Sequence, residues 1–173
     1  PAELPEGCLV FATSGSTGAP ALVCLKVEAM TANAAAVNEW VQATNEDVWL
    51  RVLPEFHVGG MSIHFRARLT GSRVVVDEGK WDARRFVMTV EMEKVTLTSL
   101  VPPQVFDLVE AGLRAPVTLR VVFVGGGRLE GKLYARAREL GWPVLPGFGM
   151  TEAGSQVATA RMDSLLENAG KEA

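Results

Sequence analysis

Apolar residues recur along this chain in two periods, and the switches between them mark out the elements. Residues 8–12 (Cys8, Leu9, Val10, Phe11, Ala12) form an unbroken apolar run, as do residues 21–25; both read as buried strands. From residue 28 to 44, Met30, Ala34, Val37 and Val41 share one face at helical spacing, which predicts a helix. Residues 47–53 read as a strand closed by Pro54. A turn over 55–60 leads into an apolar helical stretch over 61–69, where His64 reads as structural. Residues 72–76 are a short strand. Asp82 is a candidate N-cap for a helix holding Phe86, Val87 and Val90, with Glu91 and Glu93 on its solvated face. Residues 95–101 are β-branched and strand-like. Pro102 and Pro103 open the next helix, with Val105, Leu108 and Val109 on its face and Gly112 near its end. Residues 119–124 are the strongest buried-strand pattern, stopping at Gly125, Gly126 and Gly127. A helix with Leu129, Leu133, Ala137 and Leu140 on one side ends at Gly141. Residues 143–145 are a last short strand before the turn of 147–152.

Strands alternating with helices through short connections predict an α/β fold, a parallel sheet of βαβ units flanked by helices. Such sheets gather ligands at the carboxyl ends of their strands. Here the glycine-bearing loops over 13–18, 54–60, 125–127 and 147–152 all follow strands, so a nucleotide or acyl-phosphate cleft explains them better than four independent turns do. No internal repeat or low-complexity linker interrupts the pattern. Residues 1–160 read as one core and residues 161–173 as an unassigned tail.

Composition narrows the class. The chain has 173 residues, 48% hydrophobic and 21% charged, which is globular. A net charge of −3 without a basic stripe argues against a nucleic-acid surface. No uncharged apolar run approaches the ~20 residues of a membrane helix, and the acidic first residues lack a signal-peptide core. The expected compartment is cytoplasmic, with Cys8 and Cys24 as buried thiols in their apolar runs.

The loop of Thr13, Ser14, Gly15, Ser16, Thr17 and Gly18 has the chemistry of an anion cradle. Small residues let backbone N–H groups wrap a phosphate, and the four hydroxyls of Thr13, Ser14, Ser16 and Thr17 can donate as well. The competing reading is a plain surface turn. No Lys-Ser or Lys-Thr follows Gly18, so this is not the Walker pattern.

Three motifs in order resemble the acyl-adenylate-forming enzymes, the superfamily of acyl-CoA synthetases, peptide-synthetase adenylation domains and luciferases. The stretch from Thr13 to Pro20 matches the family's phosphate loop. The stretch from Leu53 to Gly60, Leu-Pro-Glu-Phe-His-Val-Gly-Gly, matches its aromatic-His-Gly motif. Gly147-Phe-Gly-Met-Thr-Glu152 matches its Tyr-Gly-x-Thr-Glu motif, with Phe148 in place of Tyr. Within the family, the residues from Phe56 to Met61 and from Gly149 to Thr159 look most like the o-succinylbenzoate–CoA ligases of the menaquinone pathway. The resemblance implies that a carboxylate attacks the α-phosphate of ATP to give an acyl-adenylate and pyrophosphate, after which the thiol of coenzyme A displaces AMP. It implies an acid–thiol ligase whose partners are a small carboxylic acid, ATP, Mg²⁺ and coenzyme A, with no nucleic acid and no membrane.

Site roles follow from the same resemblance, and the chemistry makes sense of the residue types. The Thr13–Gly18 donors would stabilise charge growing at phosphorus. Glu152 would hold Mg²⁺, which prefers carboxylate and phosphate oxygens, and Thr151 would align the α-phosphate for attack. Gly125, Gly126 and Gly127 would let adenine lie flat on backbone, alongside Gly147, Phe148, Gly149 and Met150. His57 would border the acyl pocket near the reacting carboxylate, with Gly59 and Gly60 making room for the acid. Each has a plainer rival: His57 as a structural loop residue, Glu152 as a helix-start acid. Arg128 could face a phosphate or substrate carboxylate, but a helix-surface role is the preferred reading.

Two departures limit what the resemblance implies. The family follows its phosphate loop with Pro-Lys-Gly, whereas Pro20 here precedes Ala21 and Leu22, removing a cation near the leaving pyrophosphate. The resemblance covers residues 7–159 and only the middle of the family's chains, a partial N-terminal domain without the C-terminal domain that carries a catalytic Lys. The chain alone is therefore expected to be an incomplete enzyme. Three readings stay open: a ligase portion that keeps the adenylate cleft, a non-catalytic nucleotide- or acyl-adenylate-binding module, and a chain completed by a partner subunit or by self-association. Self-association is expected, because a parallel sheet needs cover on both faces.

Overall fold

The computed structural model describes residues 6–13 and 21–165. Its frame is a six-stranded sheet in the order β4-β3-β5-β6-β7-β8. The strands are β3 (Val48–Arg51), β4 (Arg73–Val76), β5 (Leu97–Leu100), β6 (Val121–Val124), β7 (Val144–Met150) and β8 (Ser155–Thr159). All neighbours are parallel except β7 and β8, which are antiparallel. The helices are α1 (Val27–Trp40), α2 (Val58–Thr70), α3 (Ala83–Glu93), α4 (Pro102–Glu110) and α5 (Gly131–Glu139). The expected α/β architecture is the one observed.

The short strands read as continuous apolar runs because both sheet faces are covered, as parallel sheets require. Their side chains divide by alternation. Trp49, Leu97, Val121, Phe123 and Leu145 meet Val37 of α1, Val41 just past its end, and Ile63 and Ala67 of α2 on one face. Leu50, Leu100, Val122, Val124 and Val144 meet Phe86, Val90, Val105, Leu108, Val109 and Ala137 of α3, α4 and α5 on the other. Helix ends follow local chemistry. The Asp82 carboxylate accepts from the Arg85 N–H at 2.7 Å, capping α3 as its sequence predicts. The Gln104 side chain reaches back to the Val101 N–H at 3.0 Å behind Pro102, and Gly71 ends α2 with φ +74°.

Chain order places the cleft. From β3 the path runs to β4 on one side, then crosses to β5 on the other and continues outward through β6 and β7. The direction reverses between β3 and β5, and beyond the carboxyl ends of two such strands a crevice opens. The opposite ends are stapled. Arg120 grips Asp47 through two bonds of 2.8 and 2.7 Å, while Thr96 Oγ1 donates to the same carboxylate at 2.7 Å.

Several expectations are corrected. The runs at 8–12 and 21–25 are not strands of the sheet. They form β1 (Cys8–Thr13) and β2 (Ala21–Lys26), an antiparallel two-stranded ribbon. Only Phe11 and Leu25 are buried there, packed with Met30 of α1 and flanked by Val58, Met61 and Phe65 of α2. Cys24 is accordingly exposed and Cys8 half-buried, not the buried thiols expected. A hydrogen bond with the Cys24 thiol, on the same face of the ribbon, raises the pKa of Cys8. Residues 147–150, read as a turn, continue β7, because β8 pairs with them from Gly147↔Thr159 to Met150↔Ser155. Glu93 is not simply solvated: Arg73 donates to its carboxylate and its carbonyl, each at 2.6 Å, tying β4 to α3. His64, read without a partner, lies 3.5 Å from the Glu55 carboxylate.

Candidate functional site

The crevice beyond β3 and β5 is a cavity of about 480 Å³. Each wall is a strand end or the loop that follows it. Thr13 enters from the ribbon; Leu53, Pro54, His57, Val58 and Gly59 come from the loop after β3 and the start of α2. Ser99 and Val101 lie at the end of β5, and Gly125 and Gly126 follow β6. Gly147, Phe148, Gly149 and Met150 of β7 and Thr151 beyond it close the far side. Three of the four sequence-flagged loops therefore meet, and the fourth contributes Thr13. Ser14, Gly15, Ser16, Thr17 and Gly18 lie outside the described residues.

A second cavity of about 820 Å³ continues from the first across Gly126, Gly147, Phe148 and Gly149, and adds Gly127, Arg128 and Leu129. Its floor is backbone. No atom beyond its chain neighbours lies within 4 Å of where a Cβ on Gly125, a residue of the first cavity, would stand, so any side chain there would project into open space. Gly126 needs its φ of +73° and sits 3.2 Å, by its would-be Cβ, from Val101. Phe148 is 63% exposed, a bare aromatic ring beside that floor, and the surface-exposed Arg128 lines the same space.

His57 occupies the N-cap position of α2 without capping it. Its N–H donates to the Pro54 carbonyl at 3.1 Å, and its ring centroid lies 4.5 Å from that of Phe56. Gly59 lines the cavity. Gly60 does not: a Cβ there would strike the carbonyls of Leu53 and Pro54. The room it makes is for the chain's own backbone, not for an acid. Glu152 is exposed in the 3-10 turn Thr151–Ala153 and is not among the residues lining either cavity. Among the described residues, no three His, Cys, Asp or Glu side chains gather to hold a metal.

Arg66 is the residue that motif reading missed. It projects from α2 into the first cavity, is 1% exposed, and lies with its guanidinium carbon 5.5 Å from the Trp49 ring centre and 5.2 Å from that of Phe123. One nitrogen donates to Gln156 Oε1 at 2.8 Å and reaches Ser155 Oγ at 3.5 Å. Among the described residues no carboxylate pairs with it, and its Nε has no partner. Burial pushes its pKa down to about 9, so at pH 7 it remains a cation, enclosed and uncompensated. The sequence did carry a signal. Arg66 falls between Ile63 and Ala67 on the face of α2 that meets the sheet, where a charge is costly unless it is used.

The chemistry of this arrangement is that of a two-part receptor. Glycine backbone and the exposed Phe148 ring line both cavities, and Thr13, Thr151 and the buried guanidinium of Arg66 line the first.

Comparison with known proteins agrees with this geometry. The AMP-binding enzyme family profile matches residues 5–172. The chain is 33% identical over 164 residues to the 2-succinylbenzoate–CoA ligase of Staphylococcus aureus strain MSSA476, covering 94% of this chain and 33% of that protein. It thus spans about a third of the length of such relatives. Two structures of o-succinylbenzoate coenzyme A synthetase from Bacillus subtilis superpose on 91% of the chain at 30% identity and a TM-score of 0.84. One, in complex with ATP and magnesium ion, is matched over 33% of its length; the other, with the acyl-adenylate intermediate OSB-AMP, over 41%. With its fold, its motifs and nearly its whole length matched, the chain belongs to the AMP-binding enzyme family.

Proposed function

We propose that this chain is the nucleotide- and acid-binding part of an o-succinylbenzoate–CoA ligase. The observation that carries the reading is Arg66, a buried cation with no carboxylate partner among the described residues, in a cavity also lined by Thr13, Gly125, Gly126 and Thr151. An acid with two carboxylates presents one to ATP and must have the other neutralised. Arg66, oriented by Gln156 and flanked by Trp49 and Phe123, is built for that second carboxylate. An acid with a single carboxylate would leave the guanidinium unpaired, which is costly in a buried site.

In this reading the free carboxylate oxygen attacks the α-phosphorus of ATP, the bond to the bridging oxygen breaks, and pyrophosphate leaves. Adenine lies on Gly125, Gly126 and Gly127 beside Gly147, Phe148, Gly149 and Met150. Donors from Thr13, Ser14, Gly15, Ser16, Thr17 and Gly18, with the Thr151 hydroxyl, stabilise and align the phosphates. His57 and Gly59 border the reacting carboxylate. Glu152, an exposed carboxylate in the turn that carries Thr151, would hold Mg²⁺, an ion commonly bound by one or two carboxylates plus substrate phosphates and water. When bound, that ion would neutralise phosphate charge. Thioester formation with coenzyme A belongs to the complete enzyme in this reading, as does a place in the menaquinone pathway.

Calorimetric titration with a non-hydrolysable o-succinylbenzoyl-adenylate analogue and Mg²⁺ tests the reading. Micromolar binding is expected, and it should be lost in Thr151→Ala and His57→Ala. Absence of heat from the wild-type chain at any reachable concentration would contradict it.

A further inference from the structure

The segment carrying Thr151 and Glu152 on one side and Ser155 and Gln156 on the other passes through a strained turn. Gly154 takes the left-handed φ of +74° that glycine adopts freely, but Ser155, which bears a side chain, is held at φ +120°. Such conformations persist only when the surroundings over-determine them. Here the surroundings are helix α1. The Asn33 side-chain amide donates to the Ala153 carbonyl at 3.1 Å and to the Gln156 carbonyl at 2.6 Å, thus bridging Gly154 and Ser155 from one side to the other. One turn earlier, Met30 presses on Gly154, its sulfur 3.2 Å from where a Cβ would stand. Both acceptors are carbonyls, so only the NH₂ end of Asn33 can face them.

We propose that Asn33 is a positioning residue for the adenylate site, resting on the function proposed above. A single side chain sets two things at once. Upstream it fixes the turn that presents Thr151 and Glu152. Downstream it fixes the backbone of Gln156, whose side chain accepts from Arg66 at 2.8 Å and donates to Thr159 Oγ1 at 2.8 Å. The phosphate-facing and acid-facing ends of the site are thereby coupled through α1, the helix that follows directly from the ribbon bearing the phosphate loop.

The test compares Asn33→Asp, which keeps shape but turns carboxylate oxygen toward two carbonyls, with Asn33→Ala, which removes shape and donors together. Hydrogen–deuterium exchange over residues 150–157 should accelerate in Asn33→Ala and accelerate further in Asn33→Asp, while residues 97–101 and 121–124 stay protected. Affinity for the o-succinylbenzoyl-adenylate analogue should fall about tenfold in Asn33→Ala and further in Asn33→Asp. A space-filling role predicts the reverse order, with Asn33→Asp near wild type, and that result would overturn the proposal. Unchanged exchange in both variants would also overturn it. If Asn33→Asp does not fold, Asn33→Ala alone decides: unchanged exchange or unchanged affinity counts against the clamp. A wild-type chain that binds no analogue would defeat the proposed function instead, and the exchange comparison would still decide the clamp.

Discussion

Arg66 costs the fold something, and that cost is measurable. An enclosed guanidinium that no described carboxylate pairs with keeps its charge only against desolvation. Arg66→Met retains much of the volume between Trp49 and Phe123 without the charge. We expect its unfolding free energy in urea to equal that of wild type or exceed it by about 1 kcal/mol, while affinity for the adenylate analogue collapses. A loss of more than about 2 kcal/mol would instead make Arg66 a structural residue. Gly60 behaves oppositely. Gly60→Ala drives a Cβ into the Leu53 and Pro54 carbonyls, and should cost about 2–3 kcal/mol in the same urea measurement. At this scale the sequence was partly legible. His57, Gly125, Gly126, Phe148 and Thr151 announced themselves through motifs, and all line one crevice. Arg66 and Ser99 did not, and Gln156, though inside the family-like stretch from Gly149 to Thr159, drew no role, because their relevance comes from burial and from chain segments about 90 residues apart meeting. Gly60 looked like part of the acid pocket because a sequence cannot show which backbone a glycine lies against.

Among the elements, the helices of the parallel sheet and the strands that feed them were legible because each repeats one period over a buried face. The ribbon and β8 were harder. Cys8 to Ala12 is as apolar as β6, yet β1 lies in a two-stranded ribbon with only Phe11 buried, since nothing local says which partner a strand will find. β8 follows the glycine-rich stretch of 147–152 that read as a turn, and its pairing is what makes 147–150 part of β7. Two predictions belong here. Ala21 is the residue opposite Thr13 in the ribbon, at the place where the family carries Lys. Ala21→Lys should tighten ATP binding about fivefold, on the order of 1 kcal/mol, by calorimetry at low salt. At the other end of the sheet, burial alone would raise the Asp47 pKa, but bonds from Arg120, Thr96 and the Thr44 N–H hold it below the usual carboxylate range. A folded pKa below the unfolded ~3.9 stabilises above that value, and the stability is lost as pH falls through the folded pKa. Asp47→Asn should cost about 2 kcal/mol at pH 7, and its deficit against wild type should narrow in urea titrations carried down through pH 4 and below. A deficit independent of pH would contradict the staple.

The whole molecule is a frame with chemistry at one rim. The reversal of direction between β3 and β5 opens the crevice, and the Asp47–Arg120 staple closes the opposite end. Among the described residues, no helix is long and apolar enough to cross a membrane. Leu22, Met88, Met92, Phe106 and Val117 stand exposed around the frame, and self-association through such surface is the expected outcome. Size-exclusion chromatography at rising concentration should show a shift to larger species; a monomer throughout would count against it. The central claim is that Arg66 reads the second carboxylate of the acid. The most direct test titrates the wild-type chain with the o-succinylbenzoyl-adenylate analogue and with the same analogue lacking its ring carboxylate. The account predicts a preference of about a hundredfold for the dicarboxylate form, abolished in Arg66→Gln. Equal affinity for the two analogues in the wild-type chain would contradict it.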